Sequence, residues 1–151
     1  MKKLSSLLFG LSVGLIAFTQ SFEYKVVTSV ESIVPMGLGR SRILENNEEK
    51  DYKALTTSRE KGLDSKSGKV KRRDAKVDKL NETKLLNFYS GVGINFRNIA
   101  SNDALTTSML NPLSEEGWIL FNVVSGVESD CGEGDGKGIF VTRYIFKRNI
   151  E

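Results

Sequence analysis

Four carboxylates gathered in a glycine-rich stretch are the residues of this chain best placed to do chemistry. Glu128, Asp130, Glu133 and Asp135 lie within Glu128-Ser129-Asp130-Cys131-Gly132-Glu133-Gly134-Asp135-Gly136-Lys137-Gly138. A loop so rich in glycine lets several oxygens converge on a hard cation such as calcium, which takes roughly six to eight oxygen ligands in flexible geometry. These four are the candidate metal ligands. Their spacing does not follow the EF-hand order, and acidic glycine loops also serve simply as soluble hairpin tips, so both readings stand.

The remaining chemistry is narrow. The chain has no histidine, which removes Ser-His-Asp and Cys-His arrangements and HExxH zinc sites. Gly37-Leu38-Gly39 and Gly91-Val92-Gly93 are bare glycine pairs. Neither completes GxGxxG or leads into Gly-Lys-Ser/Thr, so they give little support to a phosphate cradle. Glu115 and Glu116 are adjacent, and neighbours on a helix end point in different directions. Cys131 is the single cysteine and has no internal disulfide partner. The sequence therefore predicts no catalytic residues and no cofactor, and the chain reads as non-enzymatic.

The elements that would carry such a loop are clearer than the loop itself. Phe22, Tyr24, Val26, Thr28 and Val30 alternate with Glu23, Lys25, Ser29 and Glu31, the period of a half-buried strand. Pro35-Met36-Gly37-Leu38-Gly39 stops it, and Arg40 to Glu45 reads as a short strand turning back. Lys84 to Phe96 reads as strand, because two glycines and several β-preferring residues crowd it. Asn102 or Ser101 then offers an N-cap to a helix bearing Ala104, Leu105, Met109, Leu110 and Leu113 at helical spacing. Gly117 supplies its stop, and Pro112 predicts a kink or a break after Asn111. Trp118 to Val127 and Ile139 to Ile150 are the two remaining strands, with the acidic loop between them. Both carry large apolar residues on each face, which predicts that a second layer of the chain or a partner covers each side.

Between Asn46 and about Thr83 the composition changes to a dense mixture of charges with few large apolar residues. Such a stretch has little apolar surface to offset ordering entropy, so it reads as a long charged, mobile insertion with nascent helix from Arg73 to Leu80. Its basic centre, Lys66 to Arg73, is interleaved with Asp64, Asp74 and Asp78 and lacks aromatic residues for base stacking. No nucleic-acid partner is predicted. Ala-Leu-Thr-Thr-Ser occurs at Ala54 to Ser58 and again at Ala104 to Ser108, but the flanks do not match.

Met1-Lys2-Lys3 followed by the apolar run Leu4 to Phe18 and small residues at Ala17 to Ser21 has the make-up of an export signal. Residues 1 to 21 are read as a cleaved signal peptide and the chain as exported, periplasmic or secreted. An uncleaved anchor is the alternative, although the apolar run is shorter than the roughly 20 residues that span a hydrocarbon core. Without Lys2 and Lys3 the chain carries 20 basic against 19 acidic side chains, a balance that favours no particular partner.

Three of these segments together resemble the bacterial family known as domain of unknown function 4177. They are Glu23-Tyr24-Lys25-Val26-Val27, the run Leu110-Asn111-x-Leu113-x-x-x-Gly117-Trp118-x-Leu120, and Tyr144-x-Phe146-Lys147-Arg148. The resemblance covers the two ends of the mature chain and implies a helix packed on a small antiparallel sheet, with no catalytic residues to carry over. Pro112, Ile119 and the long insertion depart from the family pattern.

The expectation is thus one α+β domain over residues 22 to 151, with a small antiparallel sheet of three to five strands, one main helix on a face, and the charged insertion at about 46 to 83. Its core would be Trp118, Tyr24, Val26, Leu110, Leu113, Leu120, Tyr144 and Phe146. It would act by binding, as a homo-oligomer or on an envelope protein, with no stable membrane insertion after signal cleavage.

Overall fold

The computed structural model of the protein describes residues 21–34, 38–64, 70–128 and 138–150. In chain order the elements are β1 (Ser21–Ser32), β2 (Leu38–Asn46), a 3-10 turn (Tyr52–Leu55), the short pair β3 (Arg59–Glu60) and β4 (Leu63–Asp64), and the single turn α1 (Arg72–Ala75). There follow β5 (Leu80–Leu86), the hairpin β6 (Tyr89–Ser90) and β7 (Gly93–Ile94), the long helix α2 (Phe96–Glu115), β8 (Ile119–Glu128) and β9 (Ile139–Ile150). Five strands form one antiparallel sheet in the order β5-β2-β1-β9-β8, so the α+β architecture has the sheet and main helix expected of it. β1 and β9 pair along their full length, from Ser21 opposite Ile150 to Ser32 opposite Ile139.

α2 begins a turn and a half before the expected cap. The side chain of Asn95 accepts from the N–H groups of Arg97 and Asn98 at 3.1 and 3.3 Å, satisfying donors that a helix start leaves orphaned. Ser101 and Asn102 therefore lie inside the helix. Asn102 is buried and faces β5, where it donates to the Leu86 carbonyl at 2.8 Å and accepts from the Leu86 N–H at 2.9 Å.

The C-terminal end follows the sequence signal. Gly117 adopts φ +85°, its N–H reaches the Ser114 carbonyl, and the Trp118 N–H reaches the Leu113 carbonyl, both at 3.0 Å. That pair of bonds is a Schellman stop, which brings the residue after the glycine back onto the last turn. Pro112 does not break the helix, which runs on to Glu115. Its missing donor removes one bond near the end, where the Pro112 carbonyl still accepts from Glu116 at 2.9 Å.

The core lies between α2 and one face of the sheet: Val27, Ile43, Leu85, Leu113, Trp118 and Phe146, flanked by Met109, Leu110 and Tyr144. Trp118, Leu113 and Phe146 were expected there, with Leu110 and Tyr144 half-buried at the margin. Tyr24, Val26 and Leu120 were expected there too and are exposed, Tyr24 keeping 57% of its surface. The alternation of β1 was read correctly, but it is the other face that meets the helix. Val27 is 1% exposed, and its neighbours on that side are Lys25, Ser29 and Glu31. Leu120 faces the helix side opposite Phe146, yet α2 packs closer to β5 than to β8, so it stays half in solvent.

Buried polar side chains on the covered side are bonded. The Ser41 hydroxyl, wholly buried, donates to Asn87 Oδ1 and accepts from the Ser32 N–H, both at 2.9 Å. Among the described residues no buried side-chain polar atom lacks a partner, as burial of such groups requires.

The described part of the charged segment holds the 3-10 turn, β3, β4 and α1; the 3-10 turn, β3 and α1 have no buried residue, and Leu63 of β4 is exposed. It gives its last residues, Leu80 to Thr83, to β5.

Candidate functional site

Because β1 turns Val27 towards the helix, it turns Phe22, Tyr24, Val26, Thr28 and Val30 away from it. Register places Lys147, Ile145, Arg143 and Val141 of β9 beside them on that far side. β8 adds Ile119 and Val124, at 59% and 47% exposure. The register of β8 against β9 shifts between Leu120 and Asn122. This bulge admits Phe121 as an extra residue, and bulges of this kind re-aim a side chain. The Phe121 ring meets Tyr24 edge-on at 6.2 Å and keeps 55% of its surface exposed.

The far face is thus an apolar sheet surface over which, among the described residues, no helix or second sheet lies. The sequence predicted a cover on both sides; α2 supplies one of them. Lys147 lies over two rings of the bare face, 4.8 Å from the centre of Phe22 and 4.6 Å from that of Phe121, a cation–π arrangement. Arg42 pairs with Glu82 on the same face. Lys84, Arg143 and Lys147 form no ion pair among the described residues, so the face is apolar with an excess of positive charge.

β8 forms the margin of the sheet, and all ten of its residues are exposed. Its backbone pairs with β9 on one side only. Strand edges in soluble proteins are usually blunted by lysine or proline; β8 has neither, and has the Phe121 bulge instead.

On the covered side an open cleft of about 570 Å³ lies between the start of β1 and the loop Asn46 to Lys50, floored by Trp118. Trp118 is roofed by two cations, Arg148 at 4.4 Å and Lys25 at 5.4 Å from its ring centre. Both are neutralised: Lys25 by Glu45 and Arg148 by Glu23, each at 2.8 Å. At the rim, Glu48 accepts from Lys50 at 2.7 Å and from the Asp78 N–H at 2.7 Å. The Lys50 ammonium first, then that backbone bond, hold its carboxyl down to about 2. The role is to tie the loop to the approach of β5.

Of the predicted metal ligands, Glu128 sits exposed at the last position of β8. Asp130, Glu133 and Asp135, like Cys131, lie outside the described residues. Among the described residues no three acidic or cysteine side chains are gathered so as to hold a metal ion. No helix among them is long and apolar enough to cross a membrane.

Comparison with family models, with characterised proteins and with solved structures returns no match for this chain.

Proposed function

We propose that this chain is an exported, non-catalytic binding module that docks another envelope component through the bare face of its sheet. The observation that carries the reading is the outward turn of the apolar side of β1. Tyr24, Val26, Ile119, Phe121 and Val124, half exposed or nearly so, with the partly buried Phe22 beside them, leave on the order of 500 Å² of apolar surface in one patch, the size at which such patches on monomers are commonly functional. Lys84, Arg143 and Lys147, which form no ion pair among the described residues, favour an acidic partner. They disfavour a second copy packed face to face, since a two-fold axis would bring like charges together. Export is supported by the basic start and the apolar run Leu4 to Phe18. The non-catalytic reading is supported by the use made of buried polar groups: Ser41, Asn87 and Asn102 are engaged in bonds to one another's strands and to backbone. The resemblance to domain of unknown function 4177 is compatible with a helix on a small antiparallel sheet.

A second reading has its own observation. The free edge of β8 is apolar, ten residues long and unguarded by lysine, so two copies could join by antiparallel β8 pairing. One experiment separates the two. A photocrosslinking side chain at position 24, in cells producing the protein, is expected to give one discrete heavier adduct, whereas the same group at the exposed position 104 on α2 gives none. An adduct of twice the chain mass, with light scattering showing a dimer, selects the β8 reading. Absence of any adduct together with a strict monomer removes both.

A further inference from the structure

We propose that a small cavity on the helix side of the sheet binds an organic cation, a protonated or quaternary amine carried on a short apolar body. The site is on the opposite side from the bare face and does not depend on the docking reading. The cavity, of about 280 Å³, is lined by Glu31, Phe88, Ile99, Ser125, Phe140 and Thr142. The Phe88 and Phe140 rings stand 5.8 Å apart and tilted by 59°, forming two walls of a partial aromatic cage. Glu31 lies directly across from Phe140 in the β1–β9 register, so a carboxylate stands beside both rings.

The charge on Glu31 distinguishes it from its neighbours. Glu23, Glu31 and Glu45 all project to the helix side, as register and partners show. Glu23 is neutralised by Arg148 and Glu45 by Lys25, each at 2.8 Å. Glu31, which is only partly exposed, has no basic partner among the described residues. It receives a long 3.4 Å bond from Asn102 Nδ2, a donor that also makes a 2.8 Å bond to the Leu86 carbonyl.

A partly buried carboxylate with no counter-ion among the described residues repels an anion. A neutral apolar guest would strip water from it with no return. A cation meets the carboxylate and the ring faces together, the combination by which aromatic cages hold quaternary ammonium groups. On the far rim the hydroxyls of Ser125 and Thr142, 2.8 Å apart, can accept from an ammonium or a ligand hydroxyl.

Choline chloride is a suitable probe and 3,3-dimethylbutan-1-ol its neutral isostere. Each is titrated into the full chain at fixed ionic strength while the aromatic proton signals of Phe88 and Phe140 are followed by NMR. Saturable shifts are expected with choline below about 20 mM, as befits the millimolar affinity so small a ligand supports. The isostere should bind at least about 10-fold more weakly, the scale of a desolvated cation–π and ion-pair contribution. Glu31→Gln should lower choline affinity by about the same factor and leave the isostere unchanged. Should that variant fail to fold, Phe140→Leu, at a ring that is 41% exposed, is expected to weaken choline by about 5-fold. Absence of saturable shifts with choline overturns the proposal, as does equal binding of the isostere or an unchanged choline affinity in a folded Glu31→Gln or Phe140→Leu chain.

Discussion

Trp118 and Tyr24 show how differently two aromatic residues of similar sequence prominence are used. Trp118 follows the glycine that ends α2, is 5% exposed and packs with Leu113 and Phe146. Its replacement by alanine removes transfer energy and leaves a cavity, and Trp118→Ala should cost about 3–5 kcal/mol in urea unfolding. Tyr24→Thr keeps the β-preference of an exposed strand position and should cost less than about 1 kcal/mol. Glu48 gives a residue-scale prediction of another kind. Its folded-state value near 2 lies below that of an unfolded glutamate, so its contribution is present above about pH 4.3 and is lost as pH falls towards 2. The backbone amides of Asp78 and Lys79, which it binds, should therefore titrate in NMR with a midpoint near 2. In Glu48→Gln that transition should be absent.

At the scale of elements, Asn102 is the side chain of α2 that bonds the backbone of the sheet's outer strand β5. Asn102 supplies both the donor and the acceptor for the Leu86 backbone, replacing the strand neighbour that β5 lacks on its outer side. Asn102→Ala orphans both groups and should lower stability by about 2–4 kcal/mol, with faster hydrogen exchange at the Leu86 amide. What the sequence disclosed of these elements follows a physical pattern. The Gly117 stop and the strands β1, β8 and β9 were legible because each rests on local chemistry: a glycine at positive φ, or alternation of β-branched and aromatic residues. The start of α2 was not, because Asn95 follows two glycines and Phe96, Ile94 and Val92 look like strand. β5 was obscured by its own composition, since of Leu80 to Leu86 only Leu85 is buried.

At the scale of the whole molecule the hardest thing to read was which side of the sheet the helix takes. Alternation in β1 separates two faces but does not say which is covered. Val27 alone, set among Lys25, Ser29 and Glu31, gave little hint that its face was the inner one. The apolarity of both sides of β8 and β9 predicted a cover on each, whereas among the described residues α2 covers one side only. Glu31 was legible only as a polar strand residue, because its lack of a basic partner among the described residues depends on pairings between strands far apart in sequence. The acidic loop was conspicuous in the sequence, and its Glu128 marks where it leaves the sheet.

The position of β9 has a consequence for the order in which the molecule can assemble. Among the described strands it alone pairs with β8, it is the twelve-residue partner of β1, and it follows the other described strands in chain order. A polypeptide emerging amino-terminus first can zip β1 to β2 and β2 to β5, but the tryptophan-bearing half of the sheet has no described strand to close against until β9 is available. Contacts of such long sequence separation form slowly. The half of the sheet that carries Trp118 therefore closes later than the half built from β1, β2 and β5.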